Sequence, residues 1–189
     1  MAELAHRQPL VAPAFAPADT DLAFAPSPCA WAVQLQAHAS SAGTATELAG
    51  LALPQAPNTA AGTDPVALWL APRRWLIVAS GTGAGLGAML DAAARAGVAA
   101  CDASDGFFRV RLAGALAPEL LAAGCALDLH ARVFAPAACA RTRLARTTLL
   151  LHRRENHFDL YFERSVADYA WRWLQSTARA LLAARGRPI

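Results

Sequence analysis

The sequence predicts an α+β fold: two hairpin-plus-helix units around antiparallel strands. Three observations carry this. Short strands come in pairs about tight turns, apolar residues recur at spacings of three and four in longer segments, and one order of elements occurs twice. Residues 68–95 run strand, Arg-Arg turn, strand, helix, and residues 149–179 repeat that order. Such a repeat favours antiparallel strands in one layer with helices covering a face.

Taken in order, residues 1–28 carry Pro9, Pro13, Pro17, Pro26 and Pro28 among alanines, with neither a helical nor a strand period. Proline fixes φ and removes a backbone donor, so this stretch reads as an extended or disordered arm. The single domain then spans 29–189, with pseudo-repeated halves at about 65–100 and 101–185. Trp31, Val33 and Leu35 alternate and predict a strand over 30–37. Residues 39–64 are rich in Ala, Ser, Gly, Thr and Pro and read as a long loop with a helical turn near 46–51. Strands over 66–70 and 75–79 flank the turn Ala71-Pro72-Arg73-Arg74. In the helix over 84–96, Leu86, Met89, Leu90 and Ala93 share a face and Gly97 supplies the stop.

A strand over 106–112 follows, then a short helix over 116–123 with Pro118 in its first turn. Strands over 138–144 and 146–152 lead through Arg153-Arg154-Glu155-Asn156 to a return strand over 158–162. Ser165 and Asp168 form a capping-box-like start to the last helix, whose expected buried stripe is Val166, Tyr169, Ala170, Trp173, Leu174, Thr177 and Leu181.

Composition narrows the function. The chain has 189 residues and 19.8 kDa, enough for one domain and too short for separate cofactor and substrate domains. Hydrophobic residues make up 56% and charged residues 16%, which excludes an acidic disordered protein and a charge-rich coiled coil. All 17 basic residues are arginine, spread among interleaved acids for a net charge of +3. A nucleic-acid binder gathers such charge into a stripe, so none is expected as a partner. No run approaches the length needed to span a bilayer and no secretion signal opens the chain, so no membrane and a cytoplasmic setting are expected. Cys29, Cys101, Cys125 and Cys139 make no close pair and read as free thiols.

Several motifs compete for a function. Gly83-Ala84-Gly85-Leu86-Gly87-Ala88 fits a dinucleotide fingerprint, with Asp102 at the distance of a ribose-binding acid. The strand before it is a hairpin arm, whereas that fingerprint needs parallel strands joined by crossovers, so a loop and helix start is the better reading. Asp102, Ser104 and Asp105 read as turn and cap residues. Arg109 and Arg111 alternate along one strand and Arg141 and Arg143 along another. If those strands pair, four guanidinium groups stand on one side of a sheet and offer a surface for an acidic partner. His152 and His157 flank a turn and read as exposed. No nucleophile, catalytic residue, metal ligand or cofactor-binding residue is nominated.

Residues 65–180 carry a resemblance. It lies in Leu70-Ala71-Pro72-Arg73-Arg74-Trp75-Leu76, in 102–114, in Gly124-Cys125-Ala126-Leu127-Asp128-Leu129-His130, in Cys139-Ala140-Arg141-Thr142-Arg143-Leu144-Ala145, in 158–165 and in Trp171-Arg172-Trp173-Leu174. These runs resemble the gamma subunit of heterotetrameric sarcosine oxidase and, more distantly, the folate-binding aminomethyltransferases of glycine cleavage. The transferases carry an acid in a glycine-rich turn at the folate site; here Thr147-Thr148-Leu149-Leu150-Leu151-His152 has neither the glycines nor the acid. The resemblance implies a non-catalytic assembly subunit of an oxidoreductase that demethylates sarcosine to glycine, with H2O2 and methylenetetrahydrofolate as products. It also implies that FAD, FMN, NAD, zinc and tetrahydrofolate lie on other subunits, and that the partners are alpha, beta and delta, chiefly the folate-binding region of alpha. Arg109, Arg111, Leu127, Asp128, Leu129, His130, Arg141 and Arg143 are the expected partner interface. The competing expectation is a free-standing enzyme, either folate-dependent and aminomethyltransferase-like or dinucleotide-binding.

Overall fold

Alternating side chains sort the strands into two five-stranded sheets, each with one face on its neighbour and one under a helix. A computed structural model describes residues 13–17, 21–38, 45–81 and 85–186. In chain order its elements are β1 (Ala23–Pro26), β2 (Trp31–Ala37), β3 (Glu47–Leu48), β4 (Leu51–Ala52), β5 (Ala60–Gly62), β6 (Val66–Ala71), β7 (Arg74–Ala79) and α1 (Gly85–Arg95). Then come β8 (Val98–Asp102), β9 (Phe107–Ala113), α2 (Ala117–Ala122), β10 (Cys139–Leu144), β11 (Thr147–Arg153), β12 (His157–Glu163) and α3 (Ala167–Ala184). The first sheet has the order β1-β9-β12-β11-β10 and the second β5-β6-β7-β2-β8. Every pairing in both is antiparallel.

The inner faces meet through Ala32, Val66, Leu68, Leu76 and Val78 of the second sheet and Cys139, Leu150 and Tyr161 of the first. On the outside, Phe108, Val110, Leu112, Leu160 and Phe162 pack with Ala170, Trp171 and Leu174 of α3. Val33, Leu35, Trp75 and Ile77 pack with Met89 and Ala93 of α1. Strands buried on both faces read as nearly continuous apolar runs, as in β7 and β12.

The α+β class and the internal repeat are present, and the repeat goes further than the hairpins. Strands β5, β6 and β7 and helix α1 have β2 as their inner neighbour; β10, β11, β12 and α3 have β9 in the same place. The outer position beside β2 is filled by β8, and beside β9 by β1 from the start of the chain. Of the arm expected over 1–28, residues 1–12 and 18–20 lie outside the described residues, and the rest joins the fold: Ala23–Pro26 is an edge strand, and Phe15 bridges to Phe24. Leu22 and Phe24 are buried, and Phe24 stacks on Phe15 and meets Trp171 edge-on. An edge strand tolerates prolines, which hid this one.

Four other expectations are corrected. Residues 46–51 form the hairpin β3–β4 around Ala49 and Gly50, both at positive φ, in place of a helical turn. Strand β8 was not expected; it pairs along one edge of β2 and only Val98 in it is buried. Ser165 lies in a 3-10 turn over Arg164–Val166, and the start of α3 has no side-chain cap. The buried stripe of α3 is Ala167, Ala170, Trp171, Leu174, Ala178 and Leu182, one position round from the expected one, with Tyr169 exposed and Trp173 half-buried.

Candidate functional site

The densest group of buried polar side chains lies between the sheets and centres on Asp159. This carboxylate sits inside the apolar run Phe158-Asp159-Leu160-Tyr161-Phe162 of β12, and it is fully buried. A buried charge needs a partner, and strand registry supplies one. Arg111 and His152 lie directly opposite Asp159 on β9 and β11, and Arg109 is two residues along β9 on the same face. Asp159 Oδ1 accepts from Arg109 Nε at 3.1 Å, and Arg109 Nη2 is also 3.1 Å away. Asp159 Oδ2 accepts from Arg154 Nε at 3.1 Å. Both arginines then reach the second sheet's loops: Arg109 Nη1 donates to Ser80 Oγ at 2.7 Å, and Arg154 Nη1 to the Thr63 carbonyl at 3.0 Å. Asp64 holds the same loops, accepting from the backbone N–H groups of Ser80 and Gly81.

His152 is buried rather than exposed, and His157 is half-buried, because the face they share is the one covered by the second sheet. Burial lowers the His152 pKa to about 4, and Arg154 adds to this against the pull of Asp159. His157 is lowered too, chiefly by burial. Burial and Asp159 raise the Tyr161 phenol, and burial raises the Cys29 thiol despite nearby Arg109. Among the described residues, His152 Nδ1, His157 Nε2 and the Tyr161 hydroxyl make no hydrogen bond, although the two ring nitrogens lie 4.0 Å and 3.6 Å from the Asp159 carboxylate. At neutral pH the histidines are therefore uncharged, the phenol and thiol keep their protons, and the carboxylate is occupied by two guanidinium groups. That arrangement ties the two sheets together, and neither the phenol nor the thiol beside it is activated as a nucleophile.

The expected interface residues separate. Strands β9 and β10 do not pair, since β12 and β11 lie between them. Registry still puts Arg109, Tyr161, Leu150 and Arg141 in one row, so the four arginines do share a face. That face is the one that meets the second sheet, and Arg109 is buried at 4% exposure, out of reach of a partner. Arg111, Arg141 and Arg143 are exposed. In the Leu127–Leu129 region, Asp128 Oδ1 accepts from the His130 N–H at 2.9 Å, and His130 Nδ1 from the Arg132 N–H. Leu129 is buried and its carbonyl accepts from Arg153, whereas Asp128 and His130 are exposed and Leu127 is half-buried.

The other motifs have local roles. Asp102 Oδ1 accepts from the Ser104 hydroxyl and N–H, the Ser104 Oγ accepts from the Ala32 N–H, and Asp105 pairs with Arg164. Of the glycine-rich run, residues 83 and 84 lie outside the described residues. At Gly85 a Cβ would come within 2.9 Å of the Trp31 ring, so the missing side chain serves packing against β2. With no parallel pairing in its sheet, the run does not fit a nicotinamide dinucleotide. The residue that sequence reasoning passed over was Asp159; an acid in the middle of an apolar strand was the signal that could have found it.

Two face-to-face antiparallel sheets with an outer helix on each define the class of protein: an aminomethyltransferase-like fold. The glycine cleavage system aminomethyltransferase T from Bartonella henselae matches with a TM-score of 0.59 at 10% identity, over 85% of this chain and 47% of that one. Within this class, the chain belongs to the sarcosine oxidase, gamma subunit family, whose model matches residues 35–180. Heterotetrameric sarcosine oxidase from Corynebacterium sp. U-96, solved in complex with pyrrole 2-carboxylate, matches with a TM-score of 0.75 at 27% identity, over 82% of this chain and 83% of that one. No curated protein matches by sequence.

Proposed function

We propose that this chain is an assembly subunit of heterotetrameric sarcosine oxidase and contributes no catalytic group. The observation that carries this reading is the state of Asp159. The best-built polar group of the described residues is sealed between two sheets, with its carboxylate held by Arg109 and Arg154. The β11 strand, Thr147–Arg153, also lacks the acid and glycines of the transferases' folate turn. In this reading the complex oxidatively demethylates sarcosine to glycine, with H2O2 and methylenetetrahydrofolate as products, in the cytoplasm. FAD, FMN, NAD, zinc and tetrahydrofolate are held by other subunits. The chain packs against alpha, beta and delta, chiefly at the folate-binding region of alpha, through Arg111, Arg141, Arg143, Asp128 and His130. Co-expression with alpha, beta and delta tests it. The chain is expected to co-purify in equal amounts; recovery of the other three without it contradicts the proposal, as does tight binding of tetrahydrofolate or NAD by the chain alone.

A further inference from the structure

At the β10 edge of the first sheet, two concave features join. One is a cavity of about 240 Å³ between the sheets, lined by the apolar Leu70, Phe107 and Leu150, by Tyr161, and by the polar Gln34 and Glu163. The other is an open groove along β10, lined by Arg143 and Thr142 and closed on one side by Gly124 and Ala126. Arg141 and Thr148 line both, so the groove leads into the cavity. Arg141 and Arg143 point to the same side of β10, two residues apart, and β10 has a strand neighbour on one side only. Among the described residues neither arginine has an acid partner, unlike Arg109, Arg154, Arg164, Arg172 and Arg185.

We infer that this groove seats a segment of a partner subunit that carries an acidic residue beside a large apolar one. The acid lies against Arg141 and Arg143, whose planar donors match a carboxylate. The apolar side chain enters the cavity, whose volume suits one large side chain, and lies against Leu70, Phe107, Leu150 and the Tyr161 ring, with Gln34 and Glu163 at the polar side of the lining. Anchors of this kind, in a pocket with charged groups at its rim, carry most of the affinity of protein interfaces. The groove also excludes a basic segment, which two free guanidinium groups would repel. This inference rests on the assembly reading and specifies the chemistry of the partner.

The test is co-expression with alpha, beta and delta, comparing three variants of the chain with wild type. Arg141→Glu/Arg143→Glu reverses the groove's charge at exposed positions, and Thr148→Trp fills the mouth shared by groove and cavity without changing charge. The control is Arg95→Glu/Arg179→Glu, the same charge change on the outer helices. The first two variants are expected to be retained in the complex at least about tenfold less than wild type, with melting temperatures of the free chains unchanged. The control is expected to be retained as wild type is. If both groove variants are retained at wild-type levels, the groove is not the seat, while the assembly reading stands. If the control is lost as fully as the charge-reversed variant, bulk charge explains the result and the groove is again not the seat. If wild type itself is not retained, both readings fail.

Discussion

Replacing Asp159 by Asn keeps the shape of the inter-sheet cluster and removes its one negative charge. Arg109 then remains at 3% side-chain exposure with no carboxylate, while Arg154, at 20%, can turn toward water. The cost is therefore set by Arg109. Breaking a buried pair by removing one partner costs about 3–5 kcal/mol, because the other charge stays buried without compensation. For a chain of this size that corresponds to a fall in melting temperature of roughly 6–20 °C. Urea unfolding of the chain, followed by tryptophan fluorescence, measures it. A second variant separates burial of charge from packing: Arg109→Leu/Asp159→Leu replaces the pair by apolar groups and is expected to recover most of the loss. A change below about 0.5 kcal/mol in Asp159→Asn, the size expected of an ordinary surface substitution, would refute the view that the cluster clamps the sheets.

Two further predictions concern stability. The folded-state pKa of His152 is depressed to about 4, below the ordinary 6.5, so the unfolded chain binds the proton more readily. The stability this histidine contributes is present above pH 6.5 and is lost toward pH 4, by at most about 1.4 kcal/mol per pH unit. Urea titrations across that range should show the slope, and it should shrink in His152→Gln. Gly114 has a φ of +106°, and a Cβ there would fall on the Asp21 carbonyl that leads into β1. Gly114→Ala is expected to release β1 from β9, seen as new proteolytic cleavage near residues 21–28; unchanged cleavage contradicts the docking of that strand.

The hairpins and helices were legible because their apolar periods match the faces they bury. Val66–Ala71 and Arg74–Ala79 are apolar runs about a short turn, and Met89 and Ala93 of α1 are buried residues that its spacing selects. Strands β1 and β8 were not legible. Each is an edge strand with one neighbour and few buried side chains, and β1 ends in a proline that an inner strand would not accept. The arginine pattern gave the correct face and the wrong surroundings. Alternation shows that Arg109, Arg111, Arg141 and Arg143 look the same way, but not that a second sheet lies over the first of them. The cluster around Asp159 was hidden for the same reason, since Arg109 lies 50 residues away on β9 and the two arginines are anchored in turn by Ser80 and Thr63 of the second sheet's loops.

The role proposed for this chain is to organise the oxidase without taking part in its chemistry. Sarcosine turnover per flavin, measured in a purified four-subunit complex carrying Arg109→Leu/Asp159→Leu, tests this most directly. Turnover is expected within about twofold of wild type once equal subunit amounts are verified, since loss of a catalytic acid or base costs on the order of 10²–10⁴ in rate. A loss of that size in an intact complex would place the Asp159 cluster in the reaction and contradict a purely organising role.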